Sequence, residues 1–326
     1  MSQEIVAADI GGTNARFAIA EVEGGRVVSL GEPVTLETAQ HGSLQLAWQA
    51  FGKQIKRPLP RAAAIAVASP INDHLIKLTN NPWIIRPPLI NSRLEVDIWT
   101  LINDFGAVGH AVGQLDEKWF IHVCGPDVAL PEHGSITVCG PGTGLGVAQV
   151  LKTKTRGYHV IETEGGHMDF APLDGIEDEL VRRLRKTFTR VSAERVCSGP
   201  AIVAIYETLA QIEGKRVTQH REDRAIWDLA FEGKDSIAVA AMDRFCLALG
   251  AVAGDLALAH GPTGVVIAGG LGLRLKDNLL ESGFGQRFAA KGRFQSLMES
   301  IPVKLITHPQ PGLFGAAAAF AQEHTQ

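Results

Sequence analysis

The chain has 326 residues, with 31 Lys and Arg against 35 Asp and Glu, a net charge of −4 and 45% hydrophobic residues. At roughly 150 residues per domain, that length corresponds to two domains that each bury a core. The absence of any basic block argues against a nucleic-acid or membrane-surface partner.

The first third reads as strand-rich. EIVAADI, ARFAIAEVE, RVVSLGE, AAAIAVAS and LIKLTN are short β-branched or alternating runs punctuated by Gly, Pro and Asn, close enough together for an antiparallel meander. SLQLAWQAFGKQI carries a helical apolar period ahead of AAAIAVAS, and the strand VDIWTLI gives way at Asp104 to a helix over FGAVGHAVGQL. This alternation predicts an α/β sheet with helices on its faces. After about residue 110 the theme restarts with SITVCG, GVAQVLKT and YHVIET, followed by several helices and a buried strand in GVVIAGG.

SIAVAAMDRFCLALGAVAGDLALAH is the longest apolar region. Asp243, Arg244 and Asp255 interrupt it, so it reads as a buried core helix and not a membrane span. VKLITHP reads as one more strand, and PGLFGAAAAFAQEH as a closing helix with Pro at its start. A final strand and helix of this kind return to the first domain. The expected division is a small α/β domain over 1–108 plus 303–326 and a large α/β domain over 109–302.

The N-terminus lacks the basic flank and unbroken apolar core of a signal peptide, so a cytoplasmic location is expected. Cys124, Cys139, Cys197 and Cys246 show no C-x-x-C spacing, which supports neither a disulfide framework nor a structural zinc. They read as small core residues in a reducing compartment.

Two glycine turns carry the functional signal. In DIGGTNARFA, Gly11, Gly12, Thr13 and Asn14 lie between two strands, where glycine permits positive φ and lets a ligand approach the backbone. Amide N–H groups at such a turn can hold phosphate oxygens. A lone GG is also an ordinary hairpin turn. The second turn, in CGPGTGLGVAQV, places Gly142, Thr143 and Gly144 between strands again. It matches neither the G-x-x-x-x-G-K-[ST] loop nor the strand-to-helix G-x-G-x-x-G fingerprint. With the third cluster at Gly269 and Gly270, the pattern describes a nucleotide held in a cleft between two halves.

The ordered set DIGGTNARFA, LINDFGAVG, CGPGTGLGVA, ETEGGHMDFAP, VSAERVCSGPA, VVIAGG and HPQPGLFGAA resembles the motifs of bacterial glucokinases of the hexokinase type. These belong to the superfamily of sugar kinases, heat-shock protein 70 and actin. The resemblance runs from about Val6 to about Ala317 and is specific as a set. It implies a two-domain actin-like ATPase fold, ribonuclease H-like in each half, with an interdomain cleft. It also implies transfer of a phosphoryl group from ATP to the 6-hydroxyl of glucose, and a homodimer.

On that resemblance Asp104 is the catalytic base, with Asn103 beside it on the sugar. Glu164, His167 and Glu194 are further sugar contacts, and Asn80 in TNNPW lies on the sugar side. The resemblance places ATP phosphates on Gly11, Gly12, Thr13 and Asn14 and on Gly142, Thr143 and Gly144. Asp9 orients Mg²⁺ through water, as suits an ion that keeps most of its hydration, and Gly269 and Gly270 lie against the adenosine.

Local chemistry leaves plainer readings beside these. Asp104 also suits a helix cap. Glu194 also reads as a first-turn acid behind an N-cap at Ser192, and His167 as a loop histidine without metal-ligand spacing. Trp83 reads as packing. MDFAPLDGIEDEL contains no cysteine, unlike the zinc cluster of the repressor, open-reading-frame and kinase family, and no helix-turn-helix precedes Asp9, so a sugar-responsive repressor is not expected. Two alternatives stay open: a kinase of another hexose or another phosphoryl donor, and a non-catalytic nucleotide switch of the actin or chaperone type.

Overall fold

The structure is a computed structural model describing residues 2–78, 81–154, 157–215 and 222–325. The chain forms two compact units. Met1–Asp116, Tyr158–Glu162 and His308–Gln326 make the first, and Glu117–Gly157 with Thr163–Thr307 the second.

The first unit opens with strands β1 (Gln3–Ile10), β2 (Asn14–Glu23), β3 (Arg26–Leu30) and β4 (Val34–Glu37). β2 pairs antiparallel with β1, β3 and β4, so the expected meander holds for the first three runs; the fourth, AAAIAVAS, leaves it, because the sheet takes it up parallel to β1. Helix α1 (Leu44–Ile55) follows, capped by the Ser43 hydroxyl, which accepts from Leu46 N–H. Strand β5 (Ala62–Val67) pairs parallel with β1. The expected strand LIKLTN is reduced to a two-residue rung, β6 (Ile76–Lys77) against β7 (Ile84–Ile85); Thr79 and Asn80 lie outside the described residues. After α2 (Ile90–Leu94), β8 (Ile98–Asn103) pairs parallel with β5 and runs directly into α3 (Asp104–Gln114).

Side chains of β1 alternate between two cores, as strand geometry requires. Val6, Ala8 and Ile10 join Phe17, Trp48, Phe51 and Ile65 on the α1 side. Ile5 and Ala7 face the other side, where the partners are mostly alanines.

In the second unit, β9 (Phe120–Cys124) precedes the hairpin of β10 (Gly134–Pro141) and β11 (Leu145–Lys152). Strand β12 (Tyr158–Thr163) gives its first five residues to the first unit. Helices α4 (Gly175–Leu184), α5 (Ala201–Ile212), α6 (Asp223–Phe231) and α7 (Ser236–His260) then build the largest core around Trp227, Phe245 and Leu249. Among the described residues α7 alone is long and apolar enough to cross a membrane, yet 72% of its apolar window is buried, as expected of a core helix. Strand β13 (Gly264–Ile267) pairs parallel with β10. The short helices α8 (Gly270–Arg274), α9 (Lys276–Glu281), α10 (Phe284–Ala289) and α11 (Gln295–Glu299) lead to β14 (Val303–Ile306), which lies between β13 and β9.

The chain returns to the first unit as α12 (Pro311–His324), whose Leu313, Ala316, Ala317 and Phe320 cover the alanine-rich face of the β1–β5 sheet. Two expected boundaries therefore move. A cut after residue 108 falls inside the unbroken helix α3, and β14, expected in the small domain, is hydrogen-bonded on both sides within the second unit. The two hairpins share one plan. Each has a glycine tip, and its first strand pairs parallel with a later strand on its other edge.

Candidate active site

The β1–β2 register sets Ile10 opposite Ala15, so Gly11 to Asn14 form the tip. Its carbonyls are occupied. Gly11 N–H donates to the Asn14 carbonyl (2.9 Å), and Thr38 N–H to that of Thr13 (2.9 Å). The Thr38 hydroxyl donates to the Gly12 carbonyl (2.7 Å), and the Asn81 amide to that of Gly11 (3.3 Å). The N–H groups of Gly12 and Thr13 have no hydrogen-bond partner among the described residues. A turn whose acceptors are held inward and whose donors are free suits anionic oxygens. Neither Gly11 nor Gly12 has positive φ, so the expected conformational reason for glycine does not apply at this tip.

Asp9 stands two residues before the tip, opposite Arg16, whose guanidinium lies 3.5 Å from one carboxylate oxygen. Burial raises its carboxyl above the usual range, and Arg16 works against that rise. Its side chain keeps 21% exposure, so one carboxylate face remains reachable. Among the described residues no group of three or more His, Cys, Asp or Glu could hold a metal by itself.

Asp104 follows the carboxyl end of β8, and the parallel register of β1, β5 and β8 brings it to the same sheet end as Asp9. The competing cap role belongs to its neighbour. The Asn103 side-chain oxygen accepts from Phe105 N–H (2.8 Å) and Gly106 N–H (3.2 Å), and its amide donates to the Ser69 carbonyl (3.3 Å). Asn103 therefore has one side-chain N–H left for a ligand. The half-buried Asp104 carboxyl is pushed up to about 6, first by burial and then by the negative charge of Asp9. The Phe105 N–H counters this, and the charge of Glu162 adds to it.

In the second unit the β10–β11 tip repeats the pattern. Gly142 N–H donates to the Gly144 carbonyl (2.8 Å) and Gly199 N–H to that of Gly142 (2.7 Å). The N–H groups of Thr143 and Gly144 have no partner among the described residues. A Cβ on Gly142 would meet no atom within 4 Å, so the space above that backbone is open. Gly269 has φ +83°, the conformation that does require glycine, and sits against the Pro141 carbonyl at the base of the tip; Gly270 begins α8 beside it.

Glu194 accepts from Leu145 N–H (3.0 Å), which anchors its carboxylate on the tip. The expected helical support is absent. Ser192 makes no side-chain cap, and Ala193–Arg195 is a single 3₁₀ turn. Glu164 and His167 flank another 3₁₀ turn, 3.7 Å apart at Oε2 and Nε2, both exposed. Gly166 between them packs against Leu145, where a Cβ would run into the Leu145 carbonyl oxygen and come within 3.1 Å of its side chain. Ala193 N–H donates to the Met168 carbonyl (2.7 Å), which holds the two turns side by side. Glu164, His167, Glu194 and the second tip are thus grouped around Leu145. Asn80 lies outside the described residues, and Trp83 is buried with its indole N–H on the His41 carbonyl (2.7 Å). Thr38, Asn81 and Glu162 have no local sequence signal, because each acts on a segment at least 25 residues away.

The first unit supplies free amides for anionic oxygens and carboxyls of raised proton affinity at Asp9 and Asp104, and the second supplies free amides with acids suited to a neutral hydroxylated ligand; these are the groups that a phosphoryl-transferring α/β enzyme uses. The family description "Glucokinase" matches residues 6–323. A glucokinase of Zymomonas mobilis is 61% identical over 323 residues, covering 99% of both chains. The crystal structure of a glucokinase from an Antarctic psychrotroph superposes with a TM-score of 0.84 at 35% identity, over 97% of this chain and 98% of that one. A Balamuthia mandrillaris glucokinase solved with glucose shares the fold, with a TM-score of 0.78 at 20% identity, over 98% of this chain and 94% of that one. The chain belongs to the glucokinase family.

Proposed function

We propose that the chain transfers the γ-phosphoryl group of MgATP to the 6-hydroxyl of glucose, giving glucose 6-phosphate and ADP. The observation that carries the chemistry is Asp104, a half-buried carboxyl pushed up to about 6 whose capping duty has passed to Asn103. As general base it takes the proton from the attacking hydroxyl, and a proton affinity near the working pH is what that task requires. Glu164, His167 and Glu194 bind the ring hydroxyls, with the remaining Asn103 N–H as a further donor. Gly12 and Thr13 in one tip, and Thr143 and Gly144 in the other, donate N–H groups to phosphate oxygens.

Asp9 holds Mg²⁺ through water, which a single reachable carboxylate fits, since the ion prefers one or two carboxylates with phosphate and water. When bound, the ion neutralises phosphate charge. The open space over Gly142 and Gly270 suits close approach of a nucleotide to the backbone. The reading carries with it the actin-like ATPase class of fold, a cytoplasmic place in the first step of glycolysis, and a homodimer.

The test is ADP release from MgATP with glucose, mannose, fructose, N-acetylglucosamine or no sugar, repeated with ADP or polyphosphate as donor and followed there as sugar phosphate formed. Dependence on glucose and ATP supports the reading. Release without sugar, or nucleotide binding with no release, returns the chain to a nucleotide switch.

A further inference from the structure

Glu162 is absent from the groups that the proposed reaction uses, yet it touches the segment that presents the base. It ends the β12 stretch that belongs to the first unit. Its Oε1 accepts from Asn103 N–H at 3.0 Å, at the peptide where β8 becomes α3. The same carboxylate packs against the first turn of α3 at Gly106. A Cβ there would fall 2.8 Å from both Cδ and Cγ of Glu162, so the glycine makes its seat. Asn103 is thereby held from both sides, by Glu162 at its backbone N–H and by the Ser69 carbonyl at its side-chain amide. Asp104 is the next residue, and its direction follows from that junction.

We propose that Glu162 is a positioning residue: its hydrogen bond to Asn103 N–H and its seat on Gly106 fix the β8–α3 junction that aims Asp104. This rests on Asp104 being the base. Displacing a reacting group by about 1 Å costs on the order of 10²-fold in rate, so the effect belongs chiefly in kcat, with the single Asn103 contact to the sugar changing KM by no more than a few-fold.

The test measures kcat and KM for glucose and ATP in Glu162→Ala, Glu162→Gln, Gly106→Ala and the double variant Glu162→Ala with Gly106→Ala, beside Asp104→Asn. All variants are assayed at a temperature where each remains folded. Glu162→Ala should lower kcat about 10- to 100-fold with KM within about threefold, while Glu162→Gln, which keeps the acceptor oxygen, stays within about threefold of the parent. Gly106→Ala should lower kcat by evicting the carboxylate, although alanine favours a helix over glycine. The double variant should be no slower than Glu162→Ala alone. The inference is overturned by an unchanged kcat in Glu162→Ala, by a loss confined to KM, by equal losses in the Gln and Ala variants, or by additive losses in the double variant. An active Asp104→Asn would instead overturn the assignment of the base, which separates the two failures.

Discussion

Replacing Asp104 by Asn should slow the enzyme and stabilise the fold at once. The carboxyl has a proton affinity near pH 6 in the folded chain against the ordinary 3.8, with burial as the first cause. Between those values the folded state binds more protons than the unfolded one, so stability falls as pH rises through that window and the full cost is present above it. A gap of about two pKa units corresponds to at most about 3 kcal/mol, and solvent around a half-buried group reduces this to about 1–2 kcal/mol.

Asn keeps the shape and an oxygen able to accept from Phe105 N–H, but carries no charge. In thermal unfolding without ligands, Asp104→Asn should therefore melt a few °C above the parent at pH 7.5, and the gain should all but vanish by about pH 3, where the parent carboxyl is largely protonated in both states. Turnover at saturating glucose and ATP should drop about 10²- to 10⁴-fold, the span of a lost general base. A variant that melts below the parent at pH 7.5 would refute the electrostatic account. One that turns over within a few-fold of the parent would refute the catalytic one.

Three further outcomes follow from the same structure. The acid limb of kcat/KM should fall about tenfold per pH unit below roughly pH 6, as Asp104 takes up a proton and loses its capacity to accept one; a flat profile from pH 7 to 5 would exclude it as the titrating base. Gly315→Ala should cost at least about 1–3 kcal/mol in urea unfolding, because the new Cβ would run into the Ala107 backbone carbonyl and lie 3.1 Å from Ala107 Cα where α12 crosses α3; the change is stabilising if only helix propensity acts. Gly269→Ala should cost about 1–3 kcal/mol from the positive φ alone, and more from the Pro141 carbonyl oxygen, which would lie 2.6 Å from the new Cβ; a loss under about 0.5 kcal/mol would show that this turn relaxes freely.

Local pattern was enough to read the long elements. The apolar run 236–260 appears as one core helix and the run 311–324 as the closing helix, because their lengths and terminal residues leave little choice. The hairpin around GGTN even fixes its own pairing, since a four-residue tip must set Asp9 opposite Arg16. Short strands were harder. Val34–Glu37, Ile84–Ile85 and Phe120–Cys124 carry too few alternations to stand out, and they are strands only because a neighbour's edge accepts them.

The same limit governs the site. Asp104 was legible at the end of a strand, but whether it or Asn103 caps α3 depends on side-chain directions that no spacing encodes. Glu194 was legible as an acid after Ser192. Its actual support is Leu145 N–H, 49 residues away, and not a helix end.

Sequence alone determined the residue types, the glycine tips and the order of the motifs, because turn chemistry and apolar period act over a few residues. Tertiary structure decided which carbonyls Thr38 and Asn81 occupy, where Glu162 rests and how high the Asp104 carboxyl is pushed. Hydrogen bonds between distant segments and desolvation both depend on what the folded chain brings near, not on what precedes a residue along it.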